Sequence, residues 1–258
     1  MSVGQLYTRF AECYEALNQD RDFEAQSKTI LSLPIRVGSE MTILDLFSGP
    51  AYHSPTLNSY CKSRVISVDS SAQMRQVAIK AGRCSESEYL VGTIPDDLDS
   101  LLGGNVFDIV LALRYSIGYL SLHQFTELLT TVRSRMRPGG FFVLEIHRVD
   151  LVASEFKSAN IRERRVVLEN GDVVVCQWPS GPLVWDPDDW IVEMPLSLQM
   201  GDDKGRMSTE HMTSRERIFS FGDIARLVEQ SRVFEIFKAP LSFHQAFEDS
   251  RIVVLRAV

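Results

Sequence analysis

Apolar residues recur along the chain at two different spacings, and the switch between them organises it. Over residues 5–33, Leu6, Phe10, Tyr14 and Leu17 fall three or four positions apart, and Phe23, Ile30 and Leu31 share one face with polar residues between. This periodicity predicts two amphipathic helices, separated at the Asn18-Gln19-Asp20 turn. From residue 41, short apolar runs alternate with helical periodicity. Strands are predicted at Met41–Leu46, Arg64–Val68 (closed by Asp69), Tyr89–Val91, Phe107–Leu113 and Phe141–Ile146. Helices are predicted at Ser54–Lys62, Ala72–Ala81 with Ser70 or Ser71 as cap, Asp96–Leu102, and Leu122–Arg137, the last ended by Pro138-Gly139-Gly140. Near-continuous apolar strands separated by helices imply a parallel sheet buried on both faces.

After His147 the pattern changes. Val166–Leu168, Val173–Gln177 and Trp190–Met200 are β-type stretches, with turn signals at Asn170-Gly171 and Ser180-Gly181-Pro182. They predict an antiparallel insertion. A helix at Phe221–Ser231 and strands at Val233–Phe237 and Ile252–Leu255 then resume the α/β pattern. The link between these two strands is short and contains Pro240, too irregular for a helical crossover, so the last strand is expected to run antiparallel. The expected organisation is residues 1–40 as N-terminal covering helices, 41–150 as an α/β core, 151–215 as a β insertion capping the substrate, and 216–258 as completion of the core.

Composition narrows the class. The 258 residues are 45% hydrophobic and 24% charged, ordinary values for a globular protein with a sizeable core. A formal net charge of −7 argues against a phosphate-backbone binder. The clusters Arg133/Arg135/Arg137 and Arg162/Arg164/Arg165 read as solvated faces. Cys13, Cys61, Cys84 and Cys176 are scattered with no Cys-x-x-Cys pair, so neither a disulfide framework nor a metal site is expected. No signal-peptide pattern and no apolar run of about 20 residues is found. A cytoplasmic protein without membrane or nucleic-acid partners is expected.

The chemistry concentrates at Ile43–His53, where an apolar run, an acid and a small-residue turn lead into a helix. That is the strand-turn-helix opening of a nucleotide-type site. Asp69 follows Asp45 by 24 residues, near the spacing at which a second-strand carboxylate meets ribose hydroxyls. A dinucleotide-type loop wants glycine at 47, 49 and 52, and this chain has only Gly49. Pro50 fixes a dihedral and removes a donor.

Asp45-Leu46-Phe47-Ser48-Gly49, Val68-Asp69 and Arg137-Pro138-Gly139-Gly140, together with five strands, an insertion and a closing hairpin, resemble the class I S-adenosylmethionine-dependent methyltransferases. Tyr7, Ala11, Tyr14, Leu17 and Asp22-Phe23, with Ser116-Ile117-Gly118-Tyr119-Leu120, are similar to small-molecule N-methyltransferases of the amino-sugar N,N-dimethyltransferase and glycine N-methyltransferase groups. The resemblance implies a Rossmann-like seven-stranded sheet with an antiparallel last strand, N-terminal helices and a β-rich insertion after strand five. It implies S-adenosyl-L-methionine as cofactor, a small-molecule acceptor, and a monomer or homodimer.

The candidate cofactor residues are Tyr7, Asp45, Phe47, Gly49, Asp69, Ser70, Met74, Thr93, Ile94 and Leu113. Thr93 stands where the family often has an adenine-reading acid, with Asp96 or Asp97 as substitutes. Tyr14, Tyr119 and His147 are candidate catalytic groups, and Arg114, Tyr115, His211 and Arg215 candidate substrate contacts. Trp185, Asp186, Asp188, Asp189 and Trp190 form either an amine-attracting cluster or an Asp-Pro-Asp turn. An amine acceptor leads. An O-methyltransferase with His147 as base and a non-catalytic protein of the same fold are alternatives. A nicotinamide oxidoreductase is disfavoured by the missing glycines. Leu113-Arg114-Tyr115-Ser116 does not resemble the Asn-Pro-Pro-Tyr tetrad of nucleic-acid or protein methylation.

Overall fold

The computed structural model describes residues 1–19, 21–35, 40–60, 63–158, 161–201 and 206–258. In chain order the elements are α1 (Gly4–Tyr7), α2 (Ala11–Leu17), α3 (Phe23–Leu31), β1 (Thr42–Leu46), α4 (Ser54–Ser59), β2 (Arg64–Asp69), α5 (Ala72–Lys80), β3 (Tyr89–Val91), α6 (Leu98–Leu102) and β4 (Phe107–Ala112). Then come α7 (Leu122–Ser134), β5 (Met136–His147), α8 (Val149–Ser158), β6 (Glu163–Val167), β7 (Val173–Gln177), β8 (Val184–Asp186), β9 (Ile191–Gly201) and β10 (Met207–Arg217). The last four are α9 (Phe221–Ser231), β11 (Phe234–Phe237), α10 (Leu241–Ala246) and β12 (Ser250–Ala257). Single 3₁₀ turns precede β3 (Glu86–Glu88) and follow β4 (Ser116–Tyr119).

The chain divides into two compact units, Asp22–Arg148 with Phe219–Val258, and Met1–Arg21 with Val149–Ile218. The larger holds a seven-stranded sheet in the order β11-β12-β5-β4-β1-β2-β3. β12 runs antiparallel to both β5 and β11, while β1, β2, β3, β4 and β5 are parallel. This is the Rossmann-like sheet that the resemblance implies, with the parallel strands that the apolar pattern predicts. Successive residues of β4 point to opposite faces, and both faces are covered, so every residue of the strand is buried. Leu44, Val110 and Phe142 face one apolar layer with Phe125, Leu129 and Ile224, while Ile43, Ile109 and Phe141 face the other with Ile30, Leu57 and Phe243. Strand order reverses between β1 and β4, which opens a crevice at their carboxyl ends.

The smaller unit is built on a five-stranded sheet, β10-β9-β7-β6 with β8 also on β9. β10 buries Met212, Ser214 and Glu216 and exposes His211, Thr213 and Arg215. Among the described residues no helix is long and apolar enough to cross a membrane.

Several boundaries differ from the sequence expectation, each for a local reason. The N-terminal segment holds three helices, and its expected turn includes Asp20, outside the described residues. α4 stops at Ser59 because Tyr60 is extended; Cys61 and Lys62 lie outside the described residues. The Arg137–Gly140 run starts β5 instead of closing α7, with a register shift opposite Phe107–Ile109 that absorbs the extra residues. α8, β8 and β10 are additional elements. The link between β11 and β12 does contain a helix, α10, begun by Pro240 at its N-cap.

Candidate active site

Asp45 lies on β1 between Ser67 of β2 and Leu111 of β4, with 3% of its surface exposed. Asp69 ends β2 on the neighbouring strand. Burial, and then the charge of Asp69, push the Asp45 carboxyl up to about 7. Burial also raises Asp69, opposed by backbone N–H groups of Ser71, Gly49 and Ser70. Two of these bonds are direct: Gly49 N donates to Oδ2 at 2.9 Å and Ser71 N to Oδ1 at 2.9 Å. The pair therefore suits a ligand that brings hydroxyl donors and positive charge.

The loop above the acids keeps a left-handed geometry with glycine only at position 49. Phe47, Gly49 and Ala51 have φ of 54°, 52° and 55°, all left-handed. For the two L-residues that conformation costs about 1–2 kcal/mol each. Other bonds hold it: Ser48 N to the Val68 carbonyl (3.1 Å) and Ala51 N to the Ser48 carbonyl (2.9 Å). Tyr89 Oη donates to the Gly49 carbonyl at 2.6 Å, and Arg83 Nη1 to the Pro50 carbonyl at 3.2 Å. A Cβ built on Gly49 would meet nothing within 4 Å, so its face is open. Phe47 packs half-buried against the apolar layer of Leu46.

The remaining cofactor candidates differ in surroundings. Ser71, not Ser70, caps α5 by accepting from Met74 N; Ser70 is exposed and Met74 is buried at 1%. Thr93 is exposed and Ile94 buried. Thr93 N donates to Asp97 Oδ2 at 2.8 Å, so that carboxylate is engaged in the turn. Leu113 packs with Ile43, Leu57 and Leu111 in the apolar core.

A second strained turn follows β4. Arg114 and Tyr115 have consecutive φ of 56° and 61°, a pairing that needs support from its surroundings. Glu145, wholly buried on β5, accepts from Arg114 N through Oε2 at 2.7 Å. Tyr115 stacks on His147 with ring centroids 4.1 Å apart and planes at 11°, and its Oη donates to the Asp249 carbonyl at 3.3 Å. Immediately after, Ser116 Oγ is buried with no hydrogen-bond partner among the described residues, and Tyr119 is 41% exposed. Thus Arg114, Tyr115, Ser116 and His147 gather at the carboxyl ends of β4 and β5.

The other candidates belong to the smaller unit. Tyr7 and Tyr14 meet edge-to-face at 5.1 Å. His211 is exposed and its carbonyl accepts from the Met1 amine at 3.0 Å; exposed Arg215 pairs with Glu193 at 3.4 Å. Asp186 Oδ1 accepts from Asp188 N and Asp189 N, forming the Asp-Pro-Asp turn, while Trp185 lies edge-on to Trp190. Sequence reasoning missed Tyr89, Arg83, Glu145 and Ser116. A charged residue inside the apolar run Phe141–Ile146 was a readable signal for Glu145; Tyr89 and Arg83 left none, because their contacts reach far along the chain.

Residues 43–140 match the family model described as a methyltransferase domain. No curated protein matches the sequence. Among solved structures, an S-adenosylmethionine-dependent methyltransferase from Clostridium acetobutylicum superposes with a TM-score of 0.70 at 16% identity, covering 96% of this chain and 98% of that one. An amino pentose methyltransferase of calicheamicin biosynthesis from Micromonospora echinaspora gives 0.68 at 13% identity, covering 97% of each chain. A sugar N-methyltransferase from Streptoalloteichus gives 0.68 at 16%, covering 95% of this chain and 91% of that one. At these identities the likeness is one of fold. The matched domain, with carboxylate acceptors suited to ribose hydroxyls and to a positive charge, supports an enzyme that uses S-adenosyl-L-methionine as methyl donor.

Proposed function

We propose that the protein transfers a methyl group from S-adenosylmethionine to an amine nitrogen of a small molecule. The observation that carries the cofactor half is the Asp45–Asp69 pair under a left-handed loop within the matched domain. When bound, the cofactor supplies an electrophilic methyl on a sulfonium. Asp69 retains acceptor capacity beyond its backbone bonds for ribose hydroxyls, and Asp45 offers negative charge to the methionine end. Displacement at that methyl is in-line, so the protein's main contribution is alignment. Arg114, Tyr115 and His147 form a rigid wall for this purpose, fixed by Glu145 and by ring stacking. An amine must also shed its proton before attack. Tyr119 and His147, both of the larger unit, are the groups proposed to steer or receive that proton, with the buried Ser116 hydroxyl beside them.

Nitrogen is preferred over oxygen because the fold is shared, over nearly the whole chain, with an amino pentose methyltransferase and a sugar N-methyltransferase. The test is methyl-labelled cofactor with matched pairs of amino sugars and their hydroxyl counterparts, products read by mass spectrometry. Label on the amine members alone is expected. Label on the hydroxyl members alone would overturn the nitrogen assignment and make His147 the base to examine. Cofactor binding without transfer to any acceptor would favour a non-catalytic role.

A further inference from the structure

Gly49 is held from both sides. Its N–H is taken by Asp69 Oδ2 at 2.9 Å, and its carbonyl by the Tyr89 hydroxyl at 2.6 Å. Glycine has the freest backbone of any residue, and no side chain crowds this one, so hydrogen bonds rather than sterics define its conformation. The clamp is rigid. Tyr89 opens β3 opposite Ser67 of β2, is 2% exposed, and packs in a small buried cluster with Ala51 and Ala78. The next carbonyl, that of Pro50, is held from the turn after α5 by Arg83, whose guanidinium also lies 4.7 Å over the Tyr52 ring. Burial and the nearby carboxylates push the Tyr89 phenol well up, so it remains a donor.

We infer that Tyr89, with Arg83, is a positioning residue for the cofactor: by fixing two adjacent carbonyls it sets Gly49 so that Asp69 meets the ribose with its oxygens already oriented. Here Phe47 and Ala51 occupy left-handed positions, and the turn is held from β3 and from the turn after α5. The inference rests on the S-adenosylmethionine reading of the site.

The decisive comparison is Tyr89→Phe, which keeps the ring in its cluster and removes only the hydroxyl. Calorimetry with S-adenosylmethionine, well below each protein's melting temperature, is expected to show Kd raised on the order of three- to tenfold. Phe125→Leu, a truncation in the buried core of α7, serves as control: it lowers Tm and leaves Kd unchanged. A residue acting only through stability would behave like the control. Wild-type Kd in a folded Tyr89→Phe therefore overturns the inference. If that variant does not fold, wild-type Kd in Arg83→Gln overturns it instead. Failure of the wild-type protein to bind S-adenosylmethionine would overturn the cofactor reading itself, and the inference with it.

Discussion

Asp45 carries the site's sharpest pH dependence. Its carboxyl, raised to about 7 by burial and by Asp69, holds its proton in the folded protein at pH values where the unfolded chain, near 3.8, has lost it. The unfolded state thus binds fewer protons between roughly pH 4 and 7, so this group's contribution to stability falls as pH rises across that window and is flat above it. A cationic ligand favours the ionised form, so cofactor affinity is expected to weaken as pH drops below about 7, with proton release on binding. Calorimetry in buffers of different ionisation enthalpy reads that release. Asp45→Asn is expected to abolish the pH slope, raise the Tm of the ligand-free protein at pH 8, and weaken cofactor binding there; an unchanged slope would remove Asp45 from the site. At this scale the acids were legible, because strand ends and a 24-residue step are sequence features. The loop was only half legible. Missing glycines at 47 and 52 suggested an altered turn, yet the backbone keeps positive φ at 47, 49 and 51 through bonds to residues far along the chain.

Among the elements, β5 shows how a turn motif can be absorbed into a strand. Arg137-Pro138-Gly139-Gly140 reads as a loop, but Asp108 draws Arg137 Nη1 to 2.6 Å and accepts from Thr42 N at 2.8 Å, tying the run to β1 and β4. Gly140 lies so close that a Cβ would sit 2.7 Å from the Asp108 carbonyl and 3.0 Å from the Arg137 carbonyl, both backbone. Gly140→Ala is expected to cost about 1–3 kcal/mol, lowering Tm by several degrees while leaving cofactor Kd unaltered. Thermal unfolding and calorimetry on the same sample check both halves. β10 was illegible for a different reason. Its buried face is Met212, Ser214 and Glu216, so the apolar-polar alternation that marks a strand is broken by two polar residues, joined by a 2.5 Å bond from Ser214 Oγ to Glu216 Oε1. The antiparallel direction of β12 was readable from the short link before it, although that link still accommodates α10.

For the molecule as a whole, ligand binding and stability are linked by mass action. S-adenosylmethionine at about 100 times its Kd adds roughly 2.7 kcal/mol to the folded state, which for a chain of this size is a Tm rise of roughly 5–10 °C. Thermal unfolding with and without saturating cofactor measures it, and NADH serves as the comparison. A shift with NADH alone would restore the oxidoreductase reading. Architecture was the most legible level, because alternating apolar strands and helices admit few topologies.

The direct pairing of β12 with β5 has a consequence for how such a chain can change. Ser250 lies opposite His147, and the ladder runs from there to Arg256 opposite Phe141. The seven-stranded sheet therefore completes its hydrogen bonding with no strand drawn from Val149–Ile218. That segment leaves after β5 and returns before α9 as a cassette between two fixed splice points. Mutation, or exchange of whole segments between genes, can rewrite it while the ladder and the paired acids stay as they are. A change of length or sequence inside it therefore leaves every rung of the seven-stranded ladder in place.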